Sequence, residues 1–262
     1  MDMTTTSSER HVHVSGSALR VVDHGSGPPV LYLHGVGDTG ALPPLIASLG
    51  THRRVIRPDH PGFLHSEGTG TRTVRDVAEA HARLLEVLGV EEVDVIGCSL
   101  GGWIAAELAL LAPGAVRSLL LIAPVGMPGD ASAPDVYSLA GAALREATVG
   151  DPIKRASMAP PSAEVLPLLA RNMAELRRLA PPPVNDPSLR ERLRTVDRPC
   201  VVAWGTADGI LPPSYADDWI EALPHARLAL VAGAGHLPHL EDPVGFRDAT
   251  NLAPAGEETP WS

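Results

Sequence analysis

Eight short runs of apolar, mostly β-branched or leucine residues recur along the chain, and turn signals or stretches of helical length separate them. They cover residues 12–14, 19–22, 30–33, 55–57, 93–96, 119–122, 201–204 and 228–231. The turn Ser15-Gly16-Ser17 joins the first two runs and predicts an antiparallel hairpin, whereas the helical intervals between later runs require parallel crossovers. The pattern predicts an α/β fold with an eight-stranded, mostly parallel sheet.

Two of these runs, residues 30–33 and 119–122, are continuously apolar, with no polar alternation. Such runs are typical of central strands that helices cover on both faces. Helical spacing of apolar residues predicts helices over residues 40–49, 73–88, 100–111, 213–223 and 243–252. The second is the clearest. Its repeating positions are Val74, Val77, Ala78, His81, Leu84, Leu85 and Leu88, with Gly89 as a stop signal. We therefore expect a three-layer α/β sandwich.

The pattern changes between residues 125 and 195, where strand signals disappear and prolines cluster. Helical spacing predicts three helices here, over residues 135–148, 162–179 and 187–195. The middle one carries an apolar stripe of Val165, Leu168, Leu169, Met173, Leu176 and Leu179. A loosely packed linker is the alternative, but the stripe favours a packed helical lid. We divide the chain into a core, residues 1–124 and 196–262, and a lid insertion, residues 125–195.

Length and charge narrow the function classes. A chain of 262 residues fits one large α/β domain. The net charge is −10, without a lysine or arginine block, so neither a nucleic acid nor an anionic membrane is an expected partner. The polar start lacks a signal-peptide core, and no segment has the ~20 apolar residues of a membrane span. We expect a soluble cytoplasmic protein that acts on a small molecule, with its oligomeric state left open.

The most informative motif is Gly97-Cys98-Ser99-Leu100-Gly101, which lies where the run 93–96 meets a helical stretch. A serine at a tight strand-to-helix turn is exposed for nucleophilic attack. The motif alone is weak, because a glycine-rich turn with serine as a helix cap has the same letters. A serine hydroxyl needs a base and oxyanion donors to react, so the rest of the chain has to supply them.

Three other stretches follow predicted strands. His34-Gly35-Val36-Gly37 offers a backbone donor at Val36, to be paired with the N–H of Leu100; Asp208 and His236 each stand on a loop after a later strand. Taken singly, Asp208 could cap a turn and His236 is one of eleven histidines. Together, Ser99, Asp208 and His236 occur in an order found in hydrolases, each at the edge where open α/β sheets bind ligands.

With these motifs the chain resembles the α/β-hydrolase fold family over about residues 10 to 250. The matching stretches are residues 34–37, 59–63, 97–102, 205–208, 235–236 and 241–243. The resemblance implies Ser99 as nucleophile, His236 as general base and then acid, Asp208 as the group that orients the imidazole, and Val36 and Leu100 as oxyanion donors. It implies a structural role for His34. A serine at position 99 argues against the haloalkane dehalogenases and epoxide hydrolases of this fold, which have aspartate there.

One departure concerns Leu64, where family members often carry glycine. The loop after the fourth strand is therefore expected to differ in shape and to bring Leu64 or His65 near the pocket. The other pocket candidates are residues for which core packing is an equally good explanation. The full set is Gly35, Leu64, Val125, Met127, Tyr137, Leu139, Met158 and Leu211.

Several polar residues near these motifs have structural interpretations. Asp38 is expected to cap a helix that begins near Gly40, and Asp59 to make hydrogen bonds at its turn. His239 is expected to neighbour the base His236 without replacing it. Cys98 and Cys200 adjoin apolar runs and are expected to be buried free thiols.

Metal and cofactor sites are not indicated. Pairs such as His11 and His13 lack a converging set of carboxylates or cysteines, and no H-E-x-x-H motif occurs. The glycines of residues 25–28 form a turn and are followed by neither phosphate-loop nor dinucleotide signatures. We expect an enzyme without metal or nucleotide cofactor.

The favoured function is therefore a serine hydrolase acting on a small or medium acyl substrate, a carboxylic ester or a lactone. The same constellation also serves hydrolysis of a carbon–carbon bond in β-diketone-type substrates. A cofactor-free lyase, cyclase or isomerase of a biosynthetic pathway is the rival from another class. A non-catalytic binding protein ranks last, because all three members of the triad are present.

Overall fold

The computed structural model describes residues 6–68, 70–128 and 135–252. Eight strands in these ranges form one sheet. They are β1 (Ser7–Val14), β2 (Ser17–Gly25), β3 (Pro29–Leu33), β4 (Arg54–Pro58), β5 (Val93–Cys98), β6 (Val116–Ile122), β7 (Cys200–Gly205) and β8 (Ala226–Val231). The strand order is β1-β2-β4-β3-β5-β6-β7-β8. Each of the eight predicted runs lies inside one of these strands, which confirms the predicted strand set.

Strand directions also agree with the sequence pattern. β1 pairs antiparallel with β2, and β2 pairs antiparallel with β4. The neighbours from β4 through β3 to β8 are parallel. The mostly parallel sheet with an N-terminal antiparallel hairpin is thus confirmed.

Helices lie on both faces of this sheet. They are α1 (Pro44–Ser48), α2 (Val74–Val87), α3 (Leu100–Leu111), α4 (Gly141–Thr148), α5 (Pro152–Ser157), α6 (Leu166–Leu179), α7 (Leu189–Leu193), α8 (Tyr215–Ala222), α9 (Pro238–Glu241) and α10 (Pro243–Thr250). Strand β6 shows why its run is continuously apolar: Leu119 and Leu121 face one core, whereas Leu120 and Ile122 face the other. The first core includes the apolar faces of α2, α3 and α8, and the second those of α1 and α10. The three-layer sandwich is confirmed.

The parallel strands end in register at one edge of the sheet. Leu33 pairs with Gly97, Cys98 with Ile122, and Gly205 with Val231. The loops that follow these strands carry the predicted chemistry. Because the carboxyl ends of parallel strands meet at one edge, residues far apart in sequence come together there.

The insertion, residues 125–195 between β6 and β7, differs in detail from its prediction. The predicted helix over 135–148 is wrong as a single element: a short 3₁₀ turn at Val136–Ser138 precedes α4. Ala140 is extended and Gly141 has φ of 55°, in the left-handed region, so the helix is interrupted between them. Helix α6 begins at Leu166 and α7 at Leu189, later than predicted.

Helix α5 was not predicted at all. It is short, and the Asp151 side chain caps it by accepting hydrogen bonds from the N–H groups of Ile153 and Lys154. The division of the chain at residues 125 and 195 stays a prediction.

Candidate active site

Ser99 stands at the sharp turn between β5 and α3. Its backbone has φ of 53° and ψ of −115°, a strained conformation for a residue with a side chain. A Cβ at Gly97 would lie 2.3 Å from the carbonyl oxygen of Gly101, and a Cβ at Gly101 would lie 2.1 Å from that of Leu33. The two glycines are therefore required by the close approach of β5, α3 and β3, and the turn presents the serine at its tip.

Ser99, His236 and Asp208 form one chain of hydrogen bonds. Ser99 Oγ lies 3.0 Å from His236 Nε2, and His236 Nδ1 lies 2.8 Å from Asp208 Oδ2. The buried carboxylate requires a donor at Nδ1, so Nε2 is left to accept the serine proton. The other oxygen, Asp208 Oδ1, accepts from the N–H groups of Ile210 and Leu211 at 2.8 and 3.0 Å. The structure brings together the three residues that the sequence singled out.

The end of helix α4 fixes the loops that carry the acid and the base. The His236 N–H donates to the carbonyl oxygen of Thr148 at 2.8 Å. The N–H of Gly209, next to Asp208, donates to the carbonyl oxygen of Ala147 at 2.9 Å. Residues of the insertion thus set the positions of both loops.

Glu241 joins the same loops through its carboxylate. Glu241 Oε2 accepts from the N–H groups of Gly235 at 2.8 Å and Gly150 at 3.2 Å, and Oε1 accepts from Asp151 at 2.7 Å. This carboxylate satisfies three backbone donors that no strand or helix would satisfy. It ties the loop before His236 to the junction of α4 and α5.

The oxyanion donors expected at Val36 and Leu100 flank the nucleophile. A Cβ at Gly35 would lie 3.4 Å from Ser99 Cβ, so the loop after β3 passes directly beside the serine. Leu100 is the first residue of α3, where backbone N–H groups have no partner within the helix. Neither this N–H nor that of Val36 donates to another group in the described ranges. Both N–H groups therefore have no protein acceptor among the described residues.

Three buried histidines form a chain behind this loop. His34 Nδ1 donates to the carbonyl oxygen of Gly35 at 2.9 Å, while its Nε2 accepts from the N–H of His60 at 3.1 Å. His60 Nε2 donates to the His34 carbonyl oxygen at 2.9 Å, so His60 Nδ1 must accept, and His81 Nε2 donates to it at 2.8 Å. Each tautomer is set by the next partner. His34 has the structural contacts expected of it.

Burial keeps this chain neutral. Desolvation lowers the pKa of His34, lowers that of His60 well below its usual range, and lowers the pKa of His81 to about 3. A proton added to His34 or His60 would meet an N–H group that already donates, and one added to His81 would lie on its buried Nδ1, which has no hydrogen-bond partner among the described residues.

Asp38 and Asp59 hold a buried arginine beside the same loop. Arg57 is fully buried and pairs with Asp59 and, at 2.6 Å, with Asp38. The expectation that Asp38 caps the next helix is wrong: α1 begins at Pro44, and Asp38 instead accepts from the N–H of Gly40 at 2.7 Å in a turn. Asp59 makes the expected turn hydrogen bonds, since it also accepts from the N–H of His65 at 3.1 Å.

Two other polar residues near Ser99 do not act with it. Cys98 is buried and free, and burial raises the pKa of its thiol far above the neutral range. His239 is buried, and desolvation lowers its pKa to about 4. Its Nε2 lies 3.5 Å from the Tyr32 hydroxyl, whereas His236 contacts Ser99.

The pocket candidates fall at different distances from the chemistry. The N–H of Val125 donates to the carbonyl oxygen of Ser99 at 3.3 Å, and Leu211 lies on the loop that binds Asp208. Leu64 is buried, with φ of 46°, which explains why glycine suits this position. Met127 is also buried, and its carbonyl oxygen accepts from the hydroxyl of Tyr215.

The remaining candidates belong to the insertion. The Tyr137 hydroxyl donates to the carbonyl oxygen of Ala180, and the guanidinium of Arg177 stacks 4.7 Å from its ring centre. Leu139 is half-buried after the 3₁₀ turn. Met158, at the end of α5, is 46% exposed. Nothing in these contacts joins the three residues to Ser99.

Sequence reasoning missed one buried polar residue that touches the site loops. Asn172, on α6, is fully buried and bonds to the loops after β3 and β4. The sequence did contain a sign of this role. Asn172 occupies a position of the apolar stripe, between Leu169 and Met173, where a leucine or methionine would be expected.

A family model described as the alpha/beta hydrolase family matches residues 30–249. The chain belongs to the alpha/beta hydrolase family. Within the described part of the chain, no group of three or more His, Cys, Asp or Glu side chains is arranged to hold a metal ion, and no helix is long and apolar enough to span a bilayer.

Similar proteins span most of the chain. An uncharacterized protein of Mycobacterium tuberculosis is 31% identical over 91% of this chain and 78% of its own length. A 2-hydroxymuconate semialdehyde hydrolase of Pseudomonas putida is 29% identical over 90% of both chains. Among solved structures, the meta-cleavage product hydrolase from Pseudomonas fluorescens IP01 superposes with a TM-score of 0.75 at 20% identity, covering 91% of this chain and 94% of that one. This last likeness concerns the fold alone.

Proposed function

We propose that the protein is a serine hydrolase that cleaves a small or medium carboxylic ester or lactone through an acyl-enzyme on Ser99. The observation that carries the proposal is the continuous chain from Ser99 Oγ to His236 Nε2 at 3.0 Å and from His236 Nδ1 to Asp208 at 2.8 Å. A serine hydroxyl within reach of a base that a buried carboxylate orients is the general arrangement of an activated nucleophile.

Acylation would begin when Ser99 Oγ forms a bond to the substrate carbonyl carbon and passes its proton to His236. The carbonyl oxygen becomes an oxyanion, which the N–H groups of Val36 and Leu100 bind. When this intermediate collapses, the bond from carbon to the leaving oxygen breaks. The imidazolium of His236 then gives its proton to that oxygen, and an alcohol departs.

Deacylation repeats these steps with water as the nucleophile. His236 takes a proton from water, whose oxygen adds to the acyl carbon, and the second tetrahedral intermediate expels Ser99 with its proton restored. Asp208 stays ionised throughout and stabilises the imidazolium that forms in each half. A lactone would yield a single hydroxy acid, since both products stay joined.

The proposal includes a lid role for the insertion, residues 125–195. What supports it is that α4 contacts the loops of both Asp208 and His236 through the carbonyl groups of Ala147 and Thr148. Aromatic residues make up only 3% of the chain, so a pocket between core and insertion would be aliphatic and would favour an alkyl acyl group over stacked rings.

A fluorophosphonate tests the nucleophile directly. The wild-type protein should lose p-nitrophenyl butyrate hydrolysis upon labelling, and peptide mass spectrometry should find the phosphonyl group on Ser99. Ser99→Ala should prevent labelling and lower kcat by about 10⁴-fold or more. Cys98→Ala, a change at the adjacent buried thiol, should keep both the labelling at Ser99 and the wild-type kcat. Turnover by folded Ser99→Ala near the wild-type rate would refute the proposal.

Hydrolysis of a carbon–carbon bond in a β-diketone-type substrate is the second candidate. Its support is the 29% identity to the relative named 2-hydroxymuconate semialdehyde hydrolase. A panel of p-nitrophenyl esters, lactones and vinylogous diketones separates the two, because the preferred class should show the highest kcat/KM. If active, folded protein converts a substrate without labelling at Ser99, a cofactor-free lyase, cyclase or isomerase replaces both.

A further inference from the structure

Helix α6 inserts one carboxamide between the loop after β3, which passes beside Ser99, and the loop after β4. Asn172 is fully buried, and its Nδ2 donates to the carbonyl oxygens of Val36 and Asp38, both at 3.0 Å. Its Oδ1 accepts from the N–H of Leu64 at 3.0 Å. Both amide protons and the oxygen are therefore used, in a site without exposure to solvent.

A buried carboxamide is costly unless it is hydrogen-bonded, and here it satisfies groups that have no strand partner. The loop after β3 runs beside Ser99 without a neighbouring strand to bond its carbonyl groups. Asn172 supplies the partners for Val36 and Asp38 that a sheet would otherwise provide. A leucine at this position would leave both carbonyl groups unsatisfied.

The Asn172 contacts hold the backbone that follows the proposed oxyanion donor, the Val36 N–H, and His34 holds the backbone that precedes it. The Gly35 carbonyl, which shares its peptide plane with the Val36 N–H, accepts from His34 Nδ1 at 2.9 Å. In a trans peptide the N–H points away from the C=O, so this contact directs the Val36 N–H. Asn172 holds the next peptide plane, through the Val36 carbonyl. Both planes that flank the Val36 Cα are thus held by side chains.

The neighbouring residue on α6 provides a natural comparison. Arg171 donates to the carbonyl oxygens of Gly62 at 2.6 Å, Leu64 at 2.9 Å and Ser66 at 2.5 Å. It attaches the insertion to the loop after β4 with as many contacts as Asn172 makes. None of these hydrogen bonds reaches the loop after β3.

We propose that Asn172 is a positioning residue for the oxyanion hole: by holding the Val36 carbonyl it restrains, together with His34 on the preceding peptide plane, the backbone that presents the Val36 N–H. The inference rests on the proposed function, since it concerns the oxyanion of the acyl-transfer reaction. It makes the insertion part of the chemistry as well as a cover for the substrate. A residue that serves only folding would affect stability and KM without a specific effect on the transition state.

Two substitutions test the proposal, with Arg171→Gln as the matched control. Asn172→Ala removes all three contacts, and Asn172→Asp keeps the shape but sets a carboxylate against two carbonyl oxygens. Both should lower kcat for p-nitrophenyl butyrate by about 10- to 100-fold, short of the loss of a whole oxyanion donor, with little change in KM. Affinity for a trifluoromethyl ketone, which forms an oxyanion upon addition to Ser99, should fall by the same factor. Arg171→Gln should lower the melting temperature without this loss.

The Asn172→Asp variant adds a readout that a purely structural role would not move. A buried carboxyl holds its proton to a higher pH than an exposed one, and in the protonated form it donates to one of the two carbonyl oxygens. The ratio of its kcat to the wild-type kcat should therefore rise as the pH falls.

Each rate is divided by the folded fraction measured by calorimetry, so that partial unfolding does not enter kcat. The proposal is overturned if both variants keep kcat within about threefold of wild type, well below the loss of a misaligned donor. It is also overturned if Arg171→Gln loses as much kcat and ketone affinity as they do. A different result would refute the proposed function itself: the fluorophosphonate would not label the wild-type protein, and the wild-type protein would hydrolyse no ester.

Discussion

Replacing His81 by glutamine removes the innermost titratable group of the histidine chain behind the loop after β3. A glutamine amide can still donate to His60 Nδ1, as His81 Nε2 does at 2.8 Å, so the substitution keeps the contact and removes the proton-binding site. It therefore isolates the effect of protonation on stability from the loss of a hydrogen bond.

The magnitude follows from the position of His81. Burial lowers its pKa from 6.5 to about 3, so the unfolded chain binds a proton over a pH range in which the folded protein does not. Between these values the free energy of unfolding falls as the pH falls. At pH 5, about 1.5 units below the unfolded pKa, one such group costs about 2 kcal/mol relative to pH 8. His81→Gln should lose about 2 kcal/mol less than wild type over this interval.

Equilibrium unfolding in urea, followed by circular dichroism at pH 8 and pH 5, measures the difference. Val87→Gln is the control, because it changes an exposed, non-titrating residue of the same helix. It should show the wild-type loss of stability. The reasoning would be refuted if His81→Gln lost as much free energy of unfolding between the two pH values as wild type.

Two further predictions concern the site. Asp208→Asn should keep the fold and lower kcat by about 10⁴-fold, because an amide facing His236 Nδ1 reverses the tautomer and leaves Nε2 unable to accept the serine proton. Steady-state kinetics measure this loss, with Asp217→Asn, a change at an exposed carboxylate, as the control. A loss of kcat under about tenfold would contradict the prediction. Gly101→Ala should destabilise the protein by about 2 kcal/mol or more in urea unfolding, because its Cβ would lie 2.1 Å from the Leu33 carbonyl oxygen. Gly114→Ala, with open space around the added methyl group, should be nearly neutral, and equal effects of the two would count against this explanation.

Helix α2 shows what the periodicity of apolar residues predicts correctly and what it does not. The spacing of its apolar residues predicted a helix over 73–88, and the helix spans Val74–Val87. The same spacing placed His81 in the buried stripe. It did not show that His81 meets His60 and His34, because those residues follow other strands and only the packing of α2 against the sheet joins them.

The insertion shows the opposite case. Local spacing predicted one helix over 135–148, whereas the structure has a turn followed by α4, with the interruption at Gly141. Its short helices bury little of their own surface, so contacts with the core loops decide where they begin and end. The bonds from Thr148 to His236 and from Asn172 to Val36 join residues 88 and 136 positions apart, and no local pattern encodes them.

By itself the sequence determined the layered fold and the candidate triad, because strand runs, glycine spacing and the order of Ser99, Asp208 and His236 are each local signals tied to strand ends. Tertiary structure alone decided the distances among them and the partners that hold them. Those depend on which loops meet at the edge of the sheet and on how α4 and α6 pack against those loops. Asn172 illustrates the difference: in sequence it interrupts an apolar stripe, and in the fold it bonds to the backbone that would bind the oxyanion.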